Sequence, residues 1–187
     1  NNKIKELNWK GCPKNLTKIW LNNNQIKEIN WKDSPENLMN IDLGDNKIKE
    51  LKWEGCPGSL THIKLMYNEI KELNWKGCPK FTGILTIMLN YNKIEKLNWE
   101  ECPKNLTRIF LSYNYIKELN WKGCPEITRN LTKIGLSFNK IQEMNWKGCP
   151  DNLKIIDLNS NIIQEMNWEG CPENLTEIDL GNNKILK

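Results

Sequence analysis

The chain has 187 residues, with 27 Lys+Arg against 23 Asp+Glu, one histidine and a formal net charge of +4. Hydrophobic residues at 39% and charged residues at 27% fit a folded, soluble chain rather than a disordered one. The single histidine, His62, argues against catalytic triads and His-ligated metal centres, so no enzymatic activity, cofactor or metal is expected. Lys and Glu alternate rather than forming a basic arm, no apolar run is long enough to span a membrane, and no signal peptide opens the chain; no membrane association is expected.

The first ordered unit is "LTKIWLNNNQIKEINW" (Leu16–Trp31), in which Leu16, Ile19, Leu21, Asn24, Ile26 and Ile29 are fixed points. Within it Ile19 and Leu21 alternate with Lys18 and Trp20, the period of a half-buried strand. The pattern returns from Leu38, Leu60, Ile84, Leu106, Leu131, Leu153 and Leu175. Each strand is followed by one asparagine: Asn24, Asn46, Asn68, Asn92, Asn114, Asn139, Asn161 and Asn183. An asparagine there can turn the chain while its amide satisfies buried backbone groups.

A second landmark closes each unit. "NWKGCP" stands verbatim at 8–13, 74–79, 120–125 and 145–150, with near-copies between. Its tryptophans after Trp9 (Trp31, Trp53, Trp75, Trp99, Trp121, Trp146 and Trp168) are spaced 22 residues apart except for two longer steps, of 24 and 25. The extra residues fall near 80–83 and 126–130, just after the proline, as insertions into a tolerant loop do. Seven of the eight slots hold Cys (12, 56, 78, 102, 124, 149, 171) and one holds Ser34. Tolerance of Ser points to a small packed residue, with an opportunistic disulfide or a soft-metal site as the lesser alternatives. The tryptophans read as an indole ladder filling the return side, and the prolines as corners. "NLT" at Asn15, Asn105, Asn130 and Asn174 reads as repeat consensus rather than as glycan acceptors, because free thiols suit a reducing compartment.

Written as L-x-x-L-x-L-x-x-N-x-L, the unit resembles the leucine-rich repeat family, in its short, helix-poor class of 22 residues, and the resemblance covers essentially the whole chain. Similar Asn/Lys-rich arrays occur in large DNA viruses, protists and some bacteria. The expected architecture is mainly β: one solenoid over residues 1–187, about eight coils, partial repeats at both ends. A parallel concave sheet would face a return side of extended chain or short second strands, with little or no α-helix. The resemblance implies a protein-interaction scaffold, and the expected location is intracellular, in the cytoplasm, including that of an infected host cell.

Columns that vary between repeats mark where a partner would bind. On the strands these include Trp20, His62, Lys64, Met88, Arg108, Phe110 and Lys133, and before the fixed asparagine Tyr67, Tyr91, Tyr113 and Phe138. Aromatic and Met side chains beside Arg/Lys have the composition of a protein-binding hot spot. Two alternatives stand for the tyrosine column: contact with a partner, or packing that shields the asparagine turn. For the chain as a whole, the other readings are nucleic-acid or polyanion binding through the same basic-aromatic patch, disfavoured by the weak net charge and the acidic last repeats, and end-to-end stacking into homo-oligomers.

Overall fold

The structure, a computed structural model, describes residues 2–124 and 130–186. Of the insertion expected near 126–130, residues 126–129 lie outside the described residues.

Each coil supplies one short strand: β1 (Lys18–Trp20), β2 (Asn40–Asp42), β3 (His62–Lys64), β4 (Leu85–Met88) and β5 (Leu106–Phe110). On the return side follow β6 (Glu118–Leu119) and β8 (Glu143–Met144), while β7 (Lys133–Gly135), β9 (Ile155–Asp157) and β10 (Glu177–Asp179) rejoin the main row. The main sheet runs β1-β2-β3-β4-β5-β7-β9-β10, all parallel, and β6 pairs with β8 in a second small sheet. A Glu72–Lys96 bridge repeats that return-side pairing, and no helix occurs among the described residues. The chain is the mainly β solenoid that its period predicts.

Register is strictly in line. Ile19, Ile41, Ile63, Ile87, Ile109, Ile134, Ile156 and Ile178 face one another across successive strands. With the leucine column beside them they form the core, each fully buried side chain worth roughly 1.5–3 kcal/mol. Ile19, Leu21, Ile178 and Leu180, in the outermost coils, are only partly buried.

One sequence expectation is corrected here. Ile84 does not occupy the first aliphatic column: it is 67% exposed, and Leu85 takes the place, paired with Leu106 through a register shift at Leu85/Thr86. The two added residues set this shift, and the insertion repays part of its exposure by burying Phe81 edge-on against Trp53.

The asparagine column joins coil to coil. Asn114 Nδ2 donates to Leu89 O of the preceding coil at 3.0 Å and to Leu111 O of its own at 2.9 Å, while its Oδ1 accepts from Ile94 N at 2.9 Å. The same donation to the preceding coil recurs at Asn46, Asn68, Asn92, Asn139, Asn161 and Asn183. Asn24 Oδ1 accepts from Ile4 N, so the ladder includes all eight.

The recurring hexapeptide is a turn. In each copy Cys N donates to Trp O, and the glycine between them has φ of 76–80° at Gly11, Gly55, Gly77, Gly123, Gly148 and Gly170. The preceding asparagine caps the turn, as Asn74 Oδ1 does for Lys76 N, a role the sequence reading left unassigned. The indole N–H donates to a carbonyl of the next coil, from Trp9 to Asn30 O at 2.7 Å through Trp146 to Asn167 O at 2.8 Å. Trp31, Trp53, Trp75 and Trp99 do likewise, while Trp121 Nε1 has no such partner among the described residues. Trp168 corrects the expectation of a wholly buried column: no coil of this chain covers its outer face, and it stays 51% exposed. No disulfide joins the cysteines among the described residues, and burial, foremost, raises Cys78 to about 12 and Cys56, Cys102 and Cys149 further.

Two outcomes follow. Asn114→Ala strands Ile94 N and leaves Leu89 O and Leu111 O with the Asn92 and Asn139 amides alone, and is expected to cost about 1–3 kcal/mol in urea denaturation. The buried thiols stay protonated in the fold, so they favour folding below their ordinary value of 9.0. That contribution is lost as pH rises from there toward about 12 for Cys78. Thiol titration of the native protein at pH 8 should therefore be slow, accelerating on addition of urea.

Candidate binding face

On the solvent side of the sheet the strands present two rows. One reads Trp20, Asp42, Lys64, Met88, Phe110, Gly135, Asp157 and Asp179; the other Lys18, Asn40, His62, Thr86, Arg108, Lys133, Ile155 and Glu177. Met88 and Phe110 are neighbours on β4 and β5, half-buried. Phe110 lies down because Gly135 follows it: a Cβ there would come 3.2 Å from Phe110 Cδ1. Lys133 Nζ sits 5.9 Å from the Phe110 ring centroid. Lys64 reaches back to Asp42 at 3.9 Å in a half-buried pair, and His62 Nδ1 lies 3.0 Å from Thr61 Oγ1 at the exposed surface.

Beyond the strand ends, Tyr67, Tyr91, Tyr113 and Phe138 form one continuous stack. Ring centroids are 4.3, 4.2 and 4.3 Å apart and the rings lie within 10° of parallel. Each residue is in the left-handed backbone region, with φ of 55°, 57°, 58° and 53°. That conformation turns the chain into the asparagine ladder, and every coil uses it: Asn23, Asp45, Ser160 and Asn182 have it too. Asn and Asp tolerate it, whereas a bulky ring there is strained by roughly 1–2 kcal/mol. Stacking at about 0.5–1.5 kcal/mol per pair offsets the strain. The phenols of Tyr67 and Tyr91 are pushed up, by desolvation first and then by the neighbouring hydroxyl.

The structure thus brings together Tyr67, Met88, Tyr91, Phe110, Tyr113, Lys133 and Phe138, with Lys64 and Arg108 on the same strands. It does not bring Trp20 to them. Trp20 is 68% exposed on β1, separated by Asp42 from Lys64 on β3 and lying four strands, or about 19 Å, from Phe110. Asp42, Asp157 and Asp179 cap their own turns by accepting from Gly44 N, Asn159 N and Gly181 N, which accounts for much of the acidic character of the last repeats. Sequence reasoning missed Tyr115, exposed, with Lys140 Nζ 4.7 Å over its ring. The column after the fixed asparagine holds Lys47, Lys93, Lys140 and Lys184, and the aromatic departure from that habit at Tyr115 is the signal that marks it. Among the described residues no group of three or more His, Cys, Asp or Glu could hold a metal, and no helix is long and apolar enough to cross a membrane.

Neither a protein-family model nor a curated protein matches the sequence. Solved structures do. The chain is similar to one chain of the TLR13–ssRNA13 complex, with TM-score 0.84 and 26% identity over 98% of this chain and 28% of that one. It is similar to YopM, a leucine-rich effector protein from Yersinia pestis, at TM-score 0.67 and 25% identity over 91% of this chain and 44% of that one. A leucine-rich repeat protein from Bacteroides eggerthii gives TM-score 0.70 and 25% identity, over 91% and 32%. The chain is a leucine-rich-repeat solenoid, and it spans less than half the length of each of these proteins.

If the tyrosine column were needed to hold the turn, replacing a rung would unfold the coil. The expectation is otherwise: Tyr91→Asn relieves strain while losing two stacking contacts, so its urea midpoint should correspond to a change within about 1 kcal/mol.

Proposed function

We propose that the chain is a non-enzymatic protein-interaction module that binds its partner on the outward sheet face, with the aromatic stack, Met88 and Phe110 as anchor. One observation carries this reading. Four consecutive coils hold large rings in left-handed conformations where Asn or Asp would serve the turn without strain, and they leave those rings exposed. Strain kept at a surface, in a row, is a mark of function rather than of folding. Seven cysteines with no disulfide among the described residues support a cytoplasmic location.

A second reading, single-stranded nucleic acid, is favoured by the likeness to the chain in an ssRNA complex and by Lys64, Arg108 and Lys133 beside the rings. It is the weaker one. Single-strand binders stack bases on open ring faces, and here consecutive faces are closed on each other at 4.2–4.3 Å.

Affinity capture from host lysate with the parent chain and with Met88→Ala/Tyr91→Asn/Phe110→Ala tests the reading. A protein held by the parent and lost by the variant, with circular dichroism unchanged, is the expected result. Equal retention of every captured protein would remove this face as the site.

A further inference from the structure

The stack also defines the chemistry of what lies on it. We propose that the aromatic ladder takes an acidic peptide segment of its protein partner, laid along the row of ring edges; this rests on the protein-binding reading above. Rings stacked face to face turn their edges outward, and the edge is the positive rim of the aromatic quadrupole. Three of the four rungs are tyrosines; Tyr67 and Tyr91 direct their hydroxyls to the next phenol of the row, which leaves the Tyr113 hydroxyl, at the end of that line, to donate to an acceptor.

Cations flank the row on both sides. Arg108 and Lys133 stand five residues before Tyr113 and Phe138, on the strands; Lys140 stands two residues after Phe138, past the turn. Of the other charges nearby, Lys64 is matched with Asp42 at 3.9 Å and Lys93 with Glu69 at 3.5 Å. The carboxylate of Asp45, one coil before Tyr67, faces that end of the row and directs an acidic segment toward the Tyr113–Phe138 end. Arg108, Lys133 and Lys140 have no carboxylate in ion-pair range among the described residues. Lys133 and Lys140 are instead held over the rings of Phe110 and Tyr115, placed but not neutralised. Positive edges, the Tyr113 phenol and cations without a carboxylate partner all favour carboxylate oxygens. Three steps of 4.3, 4.2 and 4.3 Å along the row match about four residues of extended peptide.

The test is selection of phage-displayed random peptides on the whole chain, followed by binding of the selected peptides, fluorescently labelled, to variants. The expected result is enrichment in Asp and Glu, with affinity falling about 100-fold in Arg108→Gln/Lys133→Gln/Lys140→Gln, whose replaced side chains lie at the surface. Enriched peptides that are neutral or basic, yet lost with Met88→Ala/Phe110→Ala, overturn the acidic assignment and leave the protein-binding reading standing. Failure to enrich any peptide that depends on the face overturns both. A single-stranded oligouridylate that displaces the peptides, with affinity falling steeply as salt rises, overturns the proposal in favour of nucleic acid.

Discussion

The asparagine ladder is the interaction on which the rest of this solenoid depends. Where each coil leaves its strand the backbone turns sharply inward, and its carbonyls and amides lose their sheet partners. One side chain per coil meets them: Nδ2 binds carbonyls of its own and the preceding coil, and Oδ1 takes an amide of the preceding coil. The cost of leaving such groups unpaired in a buried site is about 1–3 kcal/mol each, so substitutions at this column act on two coils at once. Regular stacking then follows, because each coil can only be satisfied by a neighbour in the same register.

With the turn held by the asparagine, the residue before it needs only to tolerate a positive φ. The outer coils use Asn23, Asp45 and Asn182 there, the easy choices, and the small Ser160. The central coils use Tyr67, Tyr91, Tyr113 and Phe138, the hard ones, and stacking makes the hard choice affordable. A uniform spine thus supports a non-uniform face. The return side does the opposite: its indoles, prolines and thiols are nearly the same in every coil and are mostly turned inward. Burial keeps the thiols protonated and therefore poor nucleophiles. The most repeated motif in the chain is the one with the least chemistry to offer.

Much of the fold is legible in the residue pattern, and some of the face. Period-two alternation at Ile19/Leu21 and its copies placed the strands, since one face must be buried and a slip of one residue would expose the isoleucines. The return side read as extended because a coil of this length has no room for a helix, and β6, β8 and the Glu72–Lys96 bridge agree. Ile84 misled because the two-residue insertion moves the strand start by one position through a bulge, which periodicity cannot reveal. Trp20 matched the patch in composition, yet three strands separate it from Met88 and four from Phe110.

By itself the amino-acid sequence determined the repeat, the strand register outside the shift at Leu85/Thr86, the asparagine column and the place of the turns, because each follows from local periodicity repeated eight times. Only the tertiary structure decided that the tyrosine column closes into one face-to-face stack, that its residues sit at positive φ, that Gly135 lets Phe110 lie flat, and which cations remain unpaired. Those properties are set by contacts between coils more than twenty residues apart, and no local preference encodes them.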